Sequence, residues 1–208
     1  MDSIYRQTRF LTSVYHPGRL PLDTGAEAAF AGRSNAGKSS VINALCQQKR
    51  LAQVSKMPGR TRMLNFFTID DARRLVDLPG YGYAQAPETM RRHWRLLVEH
   101  YLCQRRSLRG LVLVMDIRHP LNDGDWQLLA WCAQRNLRMH ILLTKADKLS
   151  RGAAITTVRR VENKLRSRAI DTSLQPFSAL KRQGLDETYR VLDAWLDLSS
   201  PPYQGDQR

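Results

Sequence analysis

Residues 32–39 read GRSNAGKS, and this stretch decides the fold. It fits the pattern G-x-x-x-x-G-K-[ST] and joins an apolar run that predicts a buried strand, 27–32, to a segment with helical spacing of apolar residues, 37–46. In such a setting the backbone N–H groups of the loop cradle phosphate oxygens, and the helix N-terminus adds the positive end of its dipole. Gly32 and Gly37 are expected to let the loop curl. The loop therefore predicts a nucleoside triphosphate site without indicating the base.

Two side chains of this phosphate loop have specific expected roles. Lys38 would reach the β- and γ-phosphates as a point charge, and the Ser39 hydroxyl would ligate Mg²⁺. The other nucleotide-binding candidates in the loop are Arg33, Ser34, Asn35 and Ala36. An incidental glycine-rich turn is the alternative, and the strand–loop–helix setting argues against it.

The rest of the chain alternates between apolar segments of strand length and segments of helical period. The further predicted strands are 62–69, 73–78, 111–116, 139–144 and 173–178, and the further predicted helices are 87–106, 125–135, 152–168 and 185–197. This alternation predicts an α/β fold of the P-loop NTPase class, with a mostly parallel central sheet flanked by helices. Only the first two of these strands have a hairpin-like connection. A single domain over 1–208 is expected, with a short N-terminal extension at about 1–24 and a frayed tail at about 199–208.

Composition narrows the class of protein. With 208 residues, 42% of them apolar and 25% charged, the chain suits one globular domain. The apolar runs are far too short to span a membrane, and the N-terminus has no apolar region typical of a secretory signal. Cys46, Cys103 and Cys132 lie far apart without metal-ligand spacing, as expected of idle thiols in a reducing, cytoplasmic location.

Charge is the unusual feature of the composition. Lys and Arg number 33 against 19 Asp and Glu, a net charge of +14 that favours a polyanionic partner, either nucleic acid or an anionic membrane. The excess is concentrated in 47–62, 86–109 and 151–168. A solvated basic surface that serves solubility is the alternative. The candidates for phosphate contact are Arg91, Arg92, Arg95, Arg105 and Arg106, whereas Trp94, Leu97 and Tyr101 are expected to pack in the core.

The base is indicated by MHILLTKAD at 139–147, where an apolar strand runs into a polar loop. The Asp147 carboxylate can accept hydrogen bonds from N1–H and N2–H₂ of guanine, whereas adenine would leave it unpaired. The Lys145 stem is expected to lie along the base, and the Thr144 hydroxyl to tie this loop to the phosphate loop. Ala146 completes the motif. FSALK at 177–181 supplies Phe177, Ser178 and Ala179, and the Ala179 N–H is expected to donate to guanine O6.

Two segments have the positions of nucleotide switches. In the polar segment 47–62, Thr61 would close on Mg²⁺ beside Ser39, and an ordinary basic loop is the alternative. In DLPGYGYA at 77–84, Asp77 would hold the Mg²⁺ shell through water, and the Gly80 N–H would meet the γ-phosphate. The remaining nucleotide-binding candidates are Gly59, Arg60, Arg62, Met63, Leu78 and Pro79. The catalytic candidates are Lys38, Thr61 and Gly80.

Hydrolysis is expected to be slow, because Tyr81 follows Gly80 where a glutamine could orient the attacking water. We expect the phenol ring to point away from the site, and stimulation to come from a partner or a cation. Asn35 resembles the asparagine of GTPases that use K⁺ as a stationary charge, although it could simply shape the loop. Equal turnover in K⁺ and Na⁺ would remove the potassium hypothesis.

GRSNAGKS, PGRT, DLPGYGYA, MDIRHPL, TKAD and FSALK, in this order over residues about 5–197, resemble the EngB (YihA/YsxC) family of bacterial ribosome-biogenesis GTPases. The resemblance implies a Ras-like GTPase domain, GTP and GDP binding with Mg²⁺, a role in maturing the large ribosomal subunit, and a link to cell division and septation. It implies the precursor of that subunit and its rRNA as partners. Neither DNA nor a membrane is expected as a partner, and a monomer is expected.

Other classes of function remain as alternatives. In the first, the chain is a guanine-nucleotide-regulated module that binds rRNA or the ribosome, and hydrolysis is incidental. Replacement of Asp77 or Thr61 would separate this from a hydrolysis-driven switch. A P-loop nucleotide kinase is disfavoured, because the sequence has no arginine-rich lid segment beside an acceptor site. A membrane-surface role fits the charge but lacks an amphipathic apolar face.

Overall fold

The computed structural model describes residues 3–52, 63–82 and 87–198. The strands in these ranges are β1 (Arg9–Val14), β2 (Ala26–Gly32), β3 (Leu64–Thr68), β4 (Arg73–Asp77), β5 (Leu108–Asp116), β6 (Arg138–Thr144) and β7 (Ser173–Pro176). The helices are α1 (Lys38–Leu45), α2 (Glu88–Gln104), α3 (Asp123–Gln134), α4 (Arg151–Arg166) and α5 (Leu185–Trp195). Short 3₁₀ turns cover Ile4–Gln7, Pro17–Arg19 and Ala146–Lys148. Every element predicted from the sequence is present, with ends that differ by no more than a few residues.

The strands described form one sheet in the order β1-β3-β4-β2-β5-β6-β7. β2 pairs in parallel with β4 and with β5, and β5, β6 and β7 continue in parallel. β3 runs antiparallel to β4, as the hairpin-like connection predicted, and antiparallel to β1. The prediction of an α/β fold with a mostly parallel central sheet is therefore confirmed.

β1 lies in the predicted N-terminal extension, where the sequence analysis named no strand. It pairs with β3 from Arg9 opposite Thr68 to Val14 opposite Leu64, with an irregularity between Phe10 and Thr12. Val14 is its only buried residue, so the strand lacks the apolar pattern that identifies a core strand. Its pairing with β3 defines it instead.

Helices cover both faces of the sheet. α2, α3 and α4 contribute to the hydrophobic core on one face, and α1 and α5 contribute to the core on the other. β5 and β6 are apolar almost throughout because a parallel sheet between two helical layers is buried on both faces. Leu97 and Tyr101 of α2 are buried and Trp94 is half-buried, which confirms their predicted core packing.

A buried ion-pair network at the start of β2 corrects one prediction. Glu27 is fully buried and accepts hydrogen bonds from Arg74, Tyr101 and Arg105, at 2.6–3.0 Å. Arg105 is only 4% exposed, so it is not available for phosphate contact as the sequence suggested. In the sequence, Arg105 and Arg106 look alike, because both follow the same basic helix. Only the fold brings Arg105 to the buried carboxylate of Glu27 and leaves Arg106 exposed.

Substitution Arg105→Ala is expected to destabilise the fold by about 3 kcal/mol, because it leaves the Glu27 carboxylate buried with fewer donors. Urea unfolding would measure the change. Arg106→Ala provides the matched control, since Arg106 is exposed and should alter the free energy of unfolding little. Equal effects of the two substitutions would contradict the structural role of Arg105.

Candidate nucleotide site

The parallel sheet brings five predicted functional segments to one edge. Residues Gly32, Asp77, Asp116, Thr144 and Pro176 end β2, β4, β5, β6 and β7, respectively. Since the carboxyl ends of parallel strands meet at the same edge, the loops that follow them line one crevice. The candidate nucleotide site lies at this edge.

Two glycines of the phosphate loop are required for different reasons. Gly37 has φ +100°, a left-handed conformation that other residues rarely adopt, and it directly precedes α1. At Gly32 a side chain would place its Cβ 2.5 Å from the carbonyl oxygen of Val114 on β5. Gly37 thus shapes the loop as expected, whereas Gly32 allows β2 to approach β5.

Lys38 and Asp77 form an ion pair at the floor of the loop. The Lys38 ammonium contacts one carboxylate oxygen of Asp77, and both side chains are largely buried. Ser39 is the next residue of α1 and is half-buried. The pair brings together the predicted phosphate-binding cation and the predicted acid of the Mg²⁺ shell.

The donors around this ion pair fit a phosphate group. The Ser34 hydroxyl is buried and has no hydrogen-bond partner among the described residues. A Cβ at Gly80 would lie 2.9 Å from that hydroxyl oxygen, so the second switch lies directly against the phosphate loop. Among the described residues, no group of three His, Cys, Asp or Glu side chains could hold a metal by itself. Mg²⁺ would need phosphate oxygens as ligands here, which is its usual mode of binding in such sites.

The Thr144 hydroxyl connects the β6 loop with the phosphate loop. Its oxygen lies in hydrogen-bond contact with the carbonyl oxygen of Ala36 and 2.9 Å from that of Met115. Thr144 is buried, so the hydroxyl cannot exchange these partners for water. The predicted tie between the two loops is confirmed.

The Lys145 ammonium makes two contacts across the site, and the predicted place of its stem along the base stays a prediction. Its ammonium donates to the Asn35 carbonyl oxygen at 2.7 Å and pairs with Asp116 at 2.9 Å. The side chain thus spans from the β6 loop to the phosphate loop and the end of β5. Both Lys145 and Asn35 have positive φ angles, +58° and +64°.

Asp116 was missed as a site residue by the sequence analysis, which used it only as part of the MDIRHPL run. Partial burial raises its pKa, but hydrogen bonds from Arg118 and Lys145 outweigh this and hold the pKa well below the usual carboxyl range. The Arg118 guanidinium binds both carboxylate oxygens, at 2.9 and 2.6 Å. The sequence feature that could have identified Asp116 is its place at the end of a predicted strand, two residues before Arg118.

The predicted base-reading residues lie together. The Ser178 hydroxyl donates to Asp147 at 2.5 Å and lowers the pKa of that carboxyl, so Asp147 is ionised and can accept further donors. The Ala146 N–H donates to the Phe177 carbonyl oxygen at 3.1 Å, which joins the loops after β6 and β7. Ala179 follows Ser178 and is half-buried. The arrangement presents one carboxylate beside a backbone loop, as recognition of a guanine edge requires.

The second switch is held by its own aromatic residue. Tyr81 is 6% exposed, and its hydroxyl donates to the buried carboxylate of Asp125 near the start of α3. The ring packs against Trp94, with centroids 5.6 Å apart, and leaves no room for a side chain at Gly124. Since the phenol is engaged with Asp125, it is not available to orient a water molecule, as expected.

Three further hydrogen bonds fix the backbone around Gly80. The Ser34 N–H donates to the Tyr81 carbonyl oxygen at 2.9 Å, and the Trp94 indole N–H donates to the Pro79 carbonyl oxygen at 2.8 Å. The Leu78 N–H donates to the Phe30 carbonyl oxygen at 2.9 Å and extends the β2–β4 pairing. The first part of this switch is thus tied to the phosphate loop on one side and to α2 on the other.

Most of the predicted first switch, residues 53–62 of the segment 47–62, lies outside the described residues. This applies to the predicted site residues Gly59, Arg60, Thr61 and Arg62. Met63 begins the described segment before β3 and is half-buried. The roles assigned to Thr61 in metal binding and catalysis stay predictions.

Substitution Tyr81→Phe is expected to cost about 2 kcal/mol of stability at neutral pH, because Asp125 loses a donor to its ionised form. Burial raises the folded-state pKa of Asp125, so the carboxyl favours folding most in acid, and this contribution is lost as the pH rises through that value. Without the Tyr81 hydroxyl the pKa rises further. The destabilisation measured by urea unfolding should therefore be larger at pH 7 than in acid.

Tyr189→Phe is the matched control for this pH dependence. The Tyr189 hydroxyl donates to the Leu45 carbonyl oxygen at 2.6 Å, an acceptor that does not titrate. The loss of stability caused by Tyr189→Phe should therefore not change with pH as a carboxyl titrates. A Tyr81→Phe effect that is equally independent of pH would argue against the bond to Asp125.

Comparisons with known proteins agree with this site. A family model described as "50S ribosome-binding GTPase" matches residues 27–145. A probable GTP-binding protein EngB of Methylococcus capsulatus is 53% identical over 91% of each chain, and that of Xylella fastidiosa strain Temecula1 is 50% identical over 96% of this chain and 98% of its own.

Solved structures share the fold. A probable GTP-binding protein engB has a TM-score of 0.67 at 20% identity and covers 83% of this chain and 100% of its own. Era in complex with MgGDPNP and a segment of 16S ribosomal RNA has a TM-score of 0.65 at 20% identity and covers 88% of this chain and 60% of its own. No helix within the described ranges is long and apolar enough to cross a membrane. The chain belongs to the EngB family of GTP-binding proteins and is a GTP hydrolase.

Proposed function

We propose that this GTPase is a nucleotide-dependent switch in the assembly of the large ribosomal subunit, acting as a cytoplasmic monomer on the subunit precursor and its rRNA. The observation that carries the proposal is the close approach of Gly80 to Ser34 of the phosphate loop. A terminal phosphate there would change the environment of a segment that leads directly into the basic helix α2. The family description as ribosome-binding and the net charge of +14 support the choice of partner.

We assign the site residues accordingly. Lys38 binds the β- and γ-phosphates, Ser39 and Thr61 ligate Mg²⁺, Asp77 holds the metal through water, and the Gly80 N–H meets the γ-phosphate. Asp147 and the Ala179 N–H read guanine. When bound, Mg²⁺ neutralises phosphate charge. The Lys38–Asp77 ion pair supports these roles, because phosphate and Mg²⁺ are themselves opposite charges that match its two members.

We further propose that intrinsic hydrolysis is slow and that K⁺ stimulates it. The engagement of Tyr81 with Asp125 supports slow turnover, since Tyr81 occupies the position after Gly80 at which a glutamine could orient water. Asn35 is exposed at the mouth of the loop, and its backbone carbonyl is bound by Lys145. Its side chain is therefore the group proposed to hold the cation.

GTP turnover is expected to be at least about tenfold faster in K⁺ than in Na⁺ at equal ionic strength, because a fixed cation stabilises charge that develops on the phosphates. Asn35→Ala should abolish the difference between the two salts. Asn136→Ala, at an exposed turn with a similar positive φ but remote from the site, should preserve it. Equal wild-type rates in the two salts would exclude K⁺ as an activator.

Association with large ribosomal subunits is expected to be tighter with a non-hydrolysable GTP analogue than with GDP. It should weaken steeply with salt, because cations released from RNA phosphates drive binding. Co-sedimentation with isolated subunits at several KCl concentrations measures both effects. Binding that is insensitive to salt would instead indicate an interface dominated by protein.

The alternative function is a nucleotide-regulated binding module in which hydrolysis is incidental. The absence of a water-orienting side chain after Gly80 favours it. Normal subunit assembly by a variant that binds GTP without hydrolysing it would decide for this alternative. The proposed link to cell division and septation rests on the family resemblance alone. A depletion strain that accumulates large-subunit precursors but divides normally would contradict the link to cell division.

A further inference from the structure

We propose that a surface formed by Tyr15, His16, Arg19, Arg92 and His93 binds single-stranded RNA, by stacking one unpaired base on its aromatic rings and pairing its arginines with phosphates. We call this the stacking surface. The proposal rests on the proposed function, because rRNA is the partner proposed there, and it assigns that partner a specific contact.

The rings of the stacking surface are held in a fixed arrangement. Tyr15 and His93 stack with centroids 4.0 Å apart and planes 18° from parallel. His16 meets both rings edge-on, with centroids 4.8 Å from Tyr15 and 5.9 Å from His93. Stacked and edge-to-face geometries are the favourable ones for aromatic pairs. A base that stacks here would meet rings that are already ordered.

The same rings are accessible to a partner. Tyr15 is 39% exposed despite its contacts with two histidines, and His16 is exposed as well. RNA-binding proteins use aromatic and histidine rings in this way, because every base has a face that can stack.

The stacking surface is supported by regular structure on both sides. Tyr15 follows β1, and the turn Pro17–Arg19 is closed by a bond from the Arg19 N–H to the His16 carbonyl oxygen at 3.0 Å. Leu20, the residue after this turn, packs against the hydrophobic core on the α2 side of the sheet. The rings are therefore held by two elements that are far apart in sequence.

Charge favours RNA as the occupant. Arg19 and Arg92 are exposed, and neither forms a salt bridge with a carboxylate among the described residues. By contrast, Arg91 on the neighbouring face of α2 pairs with Glu88 at 2.5 Å. Arginines without acidic partners beside exposed rings match the alternating phosphates and bases of a single strand.

The position of the surface connects it to the nucleotide site. His93 belongs to the stack, and the next residue, Trp94, donates to the carbonyl oxygen of Pro79 in the second switch. The first turns of α2 therefore carry both the stacking surface and a bond to the switch. A base bound to the one would stabilise the helix that holds the other.

The test measures binding of a fluorescent 12-nucleotide oligoadenylate by anisotropy over a range of salt concentrations. Tyr15→Ala should weaken binding about tenfold without changing the salt slope, because it removes stacking and no charge. Tyr15→Phe should retain binding. Arg92→Gln should lower the slope of log K against log salt by about 0.7, the contribution of one phosphate contact on a single strand.

Arg190→Gln is the matched control, an exposed arginine of α5, and it should leave both affinity and slope unchanged. Unaltered GTP affinity of the Tyr15 variants shows that they are folded, because the nucleotide site forms only in the folded chain. Weakening by Arg190→Gln equal to that by Arg92→Gln would contradict a localised surface. Equal oligoadenylate binding by Tyr15→Ala and the wild type, or no binding by the wild type at low salt, would overturn the proposal.

Co-sedimentation with large ribosomal subunits separates this inference from the proposed function. If Tyr15→Ala binds subunits and oligoadenylate as the wild type does, the stacking surface is wrong and the switch function stands. If Tyr15→Ala loses only subunit binding, the surface contacts a ribosomal protein, and the RNA proposal is overturned. If the wild type itself fails to bind subunits in either nucleotide state, the proposed function fails.

Discussion

The parallel pairing of β2 with both β4 and β5 is the constraint on which the rest of the structure depends. It aligns the ends of three strands, so that the phosphate loop, the second switch and Asp116 start from the same edge. Gly32 makes this pairing possible, because a Cβ would meet the backbone of β5. The residue that begins the phosphate-loop motif is thus also a packing requirement of the sheet, and its substitution would disturb the fold before it disturbed any contact with a ligand.

Side chains from separate loops join the site into one unit. Thr144 and Lys145 both bind carbonyl oxygens of the phosphate loop, at Ala36 and Asn35. These bonds fix the distance between the base-reading loop and the phosphates, which a nucleotide of definite length requires. The second switch is attached to the phosphate loop through the backbone of Tyr81. The site is therefore largely ordered by the chain itself, which reduces the conformational entropy that ligand binding must remove.

The sequence predicts those features that depend on local pattern. Gly37, Lys38 and the Thr144 hydroxyl were identified because a short motif determines both their conformation and their role. Arg105 was misassigned because its partner Glu27 lies 78 residues away and only the fold brings the two together. Asp116 was missed for a similar reason, since a single acid at a strand end acquires its role from Lys145, in the loop that follows the neighbouring strand. Burial of distant charges is a property of the packed structure, and no local spacing encodes it.

The two outermost strands determine how the sheet meets its surroundings. β1 is exposed or half-buried in all but its last residue and has an irregular register between Phe10 and Thr12. β7 has only four residues, the last of which is Pro176. An irregular or very short edge offers few consecutive N–H and C=O groups in register, and proline removes a donor. Neither edge is a good template for a further strand. The sheet consequently resists extension into a second copy or a fibril, although β2, β5 and β6 between its edges are rich in apolar residues.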